Sequence, residues 1–122
     1  MTLSGIILAA GQGTRMKSEL PKVLHSVCGL PIVMHVCRAF AEAGIQRPVA
    51  VVGNKHEMVM QAMGQNVDFA YQEKQLGTGH AVLTALPQIA EDGLVVICAG
   101  DMPLITGETI SQLIKNTLER DY

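Results

Sequence analysis

The sequence predicts an α/β fold built around a doubly wound, mainly parallel sheet, and three observations predict it. Short apolar runs alternate along the chain with segments of helical period, the order that yields parallel strands joined by helices. The first run is continuously apolar after its serine, as in a strand buried on both faces. Glycine-bearing polar segments follow the first and last runs, at the strand ends where open α/β sheets hold ligands.

The first strand runs from Ser4 to Ala10, and a polar, glycine-bearing stretch from Gly11 to Leu20 follows. Pro31 fits the first turn of a helix in which Val33, Val36, Cys37 and Phe40 recur at helical spacing, and Gly44 supplies its stop. The second strand is Pro48 to Val52. Gly53 and Asn54 turn the chain into a short helix over His56 to Met63, where Val59, Ala62 and Met63 share a face. A third strand covers Val67 to Tyr71. After Gln75 to Gly79, a helix from His80 to Leu86 gathers Val82, Ala85 and Leu86, and Pro87 discourages its continuation. The fourth strand is Leu94 to Cys98. A last helix, capped by Thr106, carries Ile110, Leu113, Ile114 and Leu118 on one stripe. Right-handed crossovers that wind outward from the first strand and then return to its other side give the strand order 3-2-1-4. A crevice then opens between strands one and four, with Gly11 and Asp101 facing it.

Of the 122 residues, 48% are hydrophobic and 16% charged, the balance of one globular domain with a core. The formal net charge is -2 and the basic residues are scattered, so no nucleic-acid surface is expected, because such binding needs clustered Lys and Arg. Apolar runs such as Leu94 to Ala99 are too short to span a bilayer, and no basic stretch precedes an apolar core at the N-terminus. No membrane partner and a cytoplasmic location are the corresponding expectations. Cys28, Cys37 and Cys98 lack CxxC spacing and the four histidines lack ligand spacing, so no zinc site is expected and the cysteines read as packing residues.

Three segments carry candidate chemistry. Leu8-Ala9-Ala10-Gly11-Gln12-Gly13-Thr14-Arg15-Met16 places small residues after a strand, where a ligand can approach the backbone and amide groups can meet phosphate. Its spacing fails the GxGxxG and P-loop fingerprints, which disfavours a dehydrogenase or a P-loop ATPase. Arg15 can grip phosphate oxygens through two N–H groups, and Lys22, just after Pro21, is a compact cation able to reach another. Asp101 follows a buried strand and a glycine, a position from which one carboxylate can hold Mg²⁺ against substrate phosphates. In the third segment, Gln72 to Ala81, Gln72 offers a donor and an acceptor to a pyrimidine edge, while Gly77, Thr78 and Gly79 can bring backbone to a base or ribose. Each has an ordinary alternative: a strand-to-loop turn, surface charge, a turn aspartate, and a helix cap at Thr78. His80 reads as a packing or capping residue.

Leu8 to Met16, Pro21-Lys22-Val23-Leu24-His25, Gln75-Leu76-Gly77-Thr78-Gly79-His80-Ala81 and Gly100-Asp101-Met102-Pro103-Leu104 together resemble the N-terminal uridylyltransferase domain of the bacterial bifunctional N-acetylglucosamine-1-phosphate uridylyltransferase and glucosamine-1-phosphate acetyltransferase family. The likeness covers essentially the whole chain in order. It implies a Rossmann-like fold of the nucleotide-diphospho-sugar transferase type, truncated, with residues 1–122 forming the nucleotide-binding part of the domain. It also implies a reaction in which N-acetylglucosamine 1-phosphate and UTP give UDP-N-acetylglucosamine, a cell-wall and lipopolysaccharide precursor, and pyrophosphate. The same resemblance implies that Leu8, Ala9, Ala10, Gly11, Gly13, Lys22, Gln72, Gly77 and Thr78 bind UTP, that Arg15 and Lys22 serve catalysis at the phosphates, and that Asp101 holds Mg²⁺. Family members often carry an aromatic residue where this chain has Ala99. In the family the domain continues beyond the position of Tyr122 with a second magnesium ligand and most of the sugar pocket, and a β-helix domain forms trimers. The 122-residue chain alone is therefore expected to supply a half-site, to be inactive by itself, and to self-associate through an uncovered fourth strand. A stand-alone nucleotide-binding module, a related guanylyl- or cytidylyltransferase, and an inert fragment are the competing readings.

Overall fold

The computed structural model of the chain describes residues 2–10, 21–53, 56–74, 76–102 and 104–120. Strand β1 (Leu3–Leu8) lies inside the sheet with Ile6 and Ile7 fully buried. A two-residue antiparallel ribbon, β2 (Ser26–Val27) and β3 (Leu30–Pro31), leads directly into helix α1 (Ile32–Glu42). Strand β4 (Val49–Val52), helix α2 (His56–Met63), strand β5 (Asp68–Tyr71), helix α3 (Thr78–Ala85), strand β6 (Leu94–Ala99) and helix α4 (Gly107–Glu119) follow.

The main sheet has the order β5-β4-β1-β6, and every pairing in it is parallel. Counted along the chain within that sheet, this is the expected 3-2-1-4. Side-chain parity then sorts the core into two layers. Ile7, Ala50, Val52, Val96 and Cys98 turn to the face covered by α1, α2 and α4, where Val33, Val36, Phe40, Val59, Met63 and Ile110 complete a continuous cluster. Ile6, Val49, Val51 and Ala70 turn to the other face and meet Ala81 and Ala85 of α3. With α1 and α3 on opposite faces, the sheet reverses its winding between β1 and β6, and the carboxyl ends at such a switch point are where open α/β sheets hold ligands.

Several boundaries differ from expectation. β1 ends at Leu8 rather than Ala10, because Leu8 is the last residue paired on both sides, to Val51 and Ala99. Ala9 and Ala10 stay buried beyond it, and the Ala9 amide donates to the Val51 carbonyl at 2.9 Å. β4 and β5 each begin one residue later than the sequence suggests, whereas β6 extends one residue further, to Ala99. Pro31 stands just before α1, as the residue flanking its first turn, since it is still paired to Ser26 in the ribbon. α3 begins at Thr78 and not His80, with Gly77 as its flanking residue and no side-chain cap, so Thr78 is the first helical residue rather than the cap. It gives way to a 3₁₀ turn over Leu86–Gln88 that contains Pro87. Thr106 caps α4 as expected: its Oγ1 accepts from the Thr109 amide at 3.1 Å. On that helix Ile110 is buried and Ile114 packs against the core, but Leu113 and Leu118 are exposed.

Candidate functional site

In a parallel sheet all carboxyl ends lie along one rim. Here that rim carries Gln72 after β5, Gly53 after β4, Ala9 and Ala10 after β1, and Gly100 and Asp101 after β6. Adjacent strands lie about 4.8 Å apart, so Gln72 stands about 10 Å along the rim from β1 and about 14 Å from β6. The candidate residues are thus laid out along a line, with an amide at one end and a charged pair at the other.

The charged end is built by close approach. Pro21 starts a 3₁₀ turn, Lys22–Leu24, whose Val23 and Leu24 are buried and leave Lys22 outward. The Gly100 amide donates to the Leu8 carbonyl at 2.8 Å. A Cβ at residue 100 would sit 3.0 Å from that carbonyl oxygen, 3.3 Å from Val23 and 3.4 Å from Val33, so glycine lets the end of β1, the Lys22 turn and α1 converge. The result is an ion pair between Lys22 Nζ and Asp101 Oδ2 at 3.0 Å, with side chains 50% and 35% exposed. Two residues far apart in the sequence therefore face one another beyond the carboxyl ends of β1 and β6. Behind them Cys98 is buried, its thiol donating to the Ala99 carbonyl at 3.3 Å and lying 3.8 Å from the Met102 sulfur. Burial first, and the Asp101 charge second, push that thiol's pKa up, which keeps it protonated and unreactive.

The other end is Gln72, the buried polar residue of the described core at 2% exposure. Its backbone amide extends the ladder to the Val52 carbonyl at 2.8 Å. Its side-chain Nε2 lies 2.9 Å from His80 Nδ1 and 3.4 Å from the Gly77 carbonyl oxygen. Gly77 adopts φ 102° and ψ 175°, turning the chain into α3 so that its carbonyl and the first helical turn lie beside Gln72.

The structure thus brings Lys22 and Asp101 together, groups Gln72, Gly77 and Thr78 at the β5–α3 turn, and puts Leu8, Ala9 and Ala10 between them. The Ala9 amide and the Leu8 carbonyl are already engaged within the sheet, so a ligand there would meet other backbone atoms. Gly11, Gly13 and Arg15 lie outside the described residues. The residue that sequence reasoning did not place at the site is His80. Only its position in the segment Gln72 to Ala81 hinted at it, because its contact spans a strand end, a turn and a helix. Among the described residues there is no group of three or more His, Cys, Asp or Glu that could hold a metal, and no helix long and apolar enough to cross a membrane.

Residues 5–122 match the MobA-like NTP transferase domain. The chain belongs to that family. It is 51% identical over 117 residues to the bifunctional protein GlmU of Carboxydothermus hydrogenoformans, covering 96% of this chain and 26% of that protein. To GlmU of Geobacillus thermodenitrificans it is 49% identical over 112 residues, covering 91% and 24%. The chain spans about a quarter of the length of these curated relatives. Solved structures of the same fold include a nucleotidyl transferase from Methanothermobacter thermautotroptrophicus, with a TM-score of 0.83 at 21% identity over 93% of this chain and 56% of that one. Another is Rv0371c from Mycobacterium tuberculosis in complex with manganese, with a TM-score of 0.78 at 21% identity over 94% and 59%. A protein of the same fold has therefore been observed with manganese, and the fold is one that a nucleotidyl transferase also adopts.

Proposed function

We propose that the chain forms the nucleotide half-site of a sugar-1-phosphate uridylyltransferase, joining UTP and N-acetylglucosamine 1-phosphate into UDP-N-acetylglucosamine with release of pyrophosphate. The observation that carries the proposal is the rim itself: a buried amide at one end and a Lys–Asp pair at the other, with small residues between them. A nucleotide laid along it puts its base at Gln72, Gly77 and Thr78 and its phosphates at Lys22 and Asp101. The likeness to GlmU proteins at about half identity supports the choice of UTP and of the sugar phosphate.

Asp101 suits Mg²⁺ of a particular kind. A single, partly exposed carboxylate leaves most of an octahedral shell to water and phosphate, which magnesium accepts readily, whereas the described residues build no protein cage. Its Oδ2 already faces a cation, the Lys22 ammonium. When bound, the ion supplies neutralisation of phosphate charge. Lys22 and Asp101 hold one another until the triphosphate arrives, whose oxygens compete for the ammonium; the pair then opens into a phosphate ligand and a carboxylate ligand. In the reaction an oxygen of the sugar phosphate bonds to the α-phosphorus of UTP while the bond to the β-phosphate oxygen breaks. The work left to the protein is alignment and charge stabilisation, and Arg15 shares that work with Lys22.

Calorimetric titration with Mg²⁺ and UTP, CTP, GTP or ATP tests the reading, with UTP expected to bind most tightly. A solved structure of the same fold, HddC from Yersinia pseudotuberculosis at 25% identity, is complexed with GMP-PN; this favours a guanylyltransferase as the second reading, and tighter GTP binding would select it instead.

A further inference from the structure

We propose that His80 decides which end of the Gln72 amide is offered to the nucleobase, and through it the choice of uracil over cytosine. The inference rests on the reading that Gln72 receives the base. Gln72 is 2% exposed, and a buried amide has to find partners for its hydrogens. A carbonyl oxygen can only accept, so the atom 3.4 Å from the Gly77 oxygen is the NH₂ group. The second hydrogen of that NH₂ points at His80 Nδ1, 2.9 Å away, which requires a lone pair there and puts the ring proton on Nε2. A flipped amide would set its oxygen against the Gly77 oxygen, and against the Nδ1 lone pair as well unless the ring moved its proton to Nδ1. With the proton on Nε2, the two acceptors act as a lock with one permitted orientation.

With both hydrogens committed, the carbonyl oxygen is what Gln72 offers to a base. Uracil has a hydrogen on N3 that this oxygen can accept. Cytosine has a lone pair at N3 and meets the oxygen as a second acceptor. His80 touches no substrate in this account; it is a positioning residue, the third residue of α3, set by the turn at Gly77 to reach the end of β5.

Wild type, His80→Leu and His80→Asn, each verified as folded by thermal melting, are titrated with UTP and with CTP in the presence of Mg²⁺. The wild type should prefer UTP. His80→Leu should lose about tenfold or more of that preference, equivalent to about 1.4 kcal/mol. His80→Asn, whose side-chain oxygen can stand where Nδ1 stands, should restore most of it. A folded His80→Leu that discriminates as the wild type does overturns the inference and leaves the base site intact. A wild type that does not prefer UTP overturns the base-site reading and the inference together. Should His80→Leu fail to fold, ¹⁵N spectra of the wild-type imidazole decide: an unprotonated Nδ1 supports the lock, and a proton on Nδ1 rejects it.

Discussion

A half-exposed ion pair such as Lys22–Asp101 contributes little to stability, because water screens both charges and both side chains lose freedom in holding it. Replacing Asp101 by Asn should thus leave the melting temperature nearly unchanged. If the carboxylate takes the metal, the same change should weaken Mg²⁺-dependent UTP binding by about tenfold, about 1.4 kcal/mol, while binding without metal should not weaken, because Lys22 is released from its ion pair. A metal titration that does not move would remove Asp101 from the site. Cys37 permits a second test at this scale. Burial pushes its thiol from the ordinary 9.0 up to about 11. As pH rises the unfolded chain gives up that proton first, so the thiol's contribution to stability is complete below pH 9 and is lost between about 9 and about 11. Urea midpoints followed from neutral pH to that window should fall more steeply for the wild type than for Cys37→Ala. Parallel curves would show that the thiol is not linked to unfolding.

Gly77 sets the entry to α3 from β5, and its φ of 102° with ψ of 175° lies in a region essentially confined to glycine. Nothing stands within 4 Å of a Cβ built there, so Gly77→Ala tests the backbone alone. It should cost about 1–3 kcal/mol in urea unfolding and loosen the contact that orients Gln72; an alanine tolerated without loss would contradict this account of the turn. The sequence had shown a glycine-bearing segment here but not which glycine turns the chain, because Gly77 and Gly79 are alike on paper and only the backbone angles separate them. The β2–β3 ribbon was illegible for a related reason. Two-residue strands carry no alternation, and their turn places Cys28 at φ 53°, a residue type that sends no turn signal. Strand order was legible, since apolar runs and crossover handedness leave few topologies. Lys22 and Asp101 could be singled out by residue type and motif, and their meeting follows from β1 lying beside β6. His80 on Gln72 follows from no periodicity. The spacing of Leu113 and Leu118 defined a stripe correctly but carried no information on whether anything covers it.

Across the whole molecule, β6 is one of the two edge strands of the main sheet. It pairs only with β1 in the described sheet, and on the α3 side Val95 and Ile97 are exposed, Ile97 at 47%. An open strand edge beside apolar side chains is a template for another chain. The 122-residue protein should therefore self-associate with increasing concentration, and Ile97→Lys should shift it toward the monomer by placing a charge on that face. Light scattering that finds the wild type monodisperse and monomeric, or that finds no change in Ile97→Lys, would reject the edge as the contact. The central claim concerns the opposite dimension of the sheet, the rim of carboxyl ends along which a nucleotide is held from Gln72 to Asp101. Amide chemical shifts of the labelled chain, recorded as UTP and Mg²⁺ are added, test it most directly. The Gln72 side-chain amide, the Gly77 and Thr78 amides and those of Gly100 and Asp101 should move together with one dissociation constant. Shifts confined instead to the cavity lined by Met34, Cys37, Arg38 and Met63, on the far side of the sheet's ends, would contradict it.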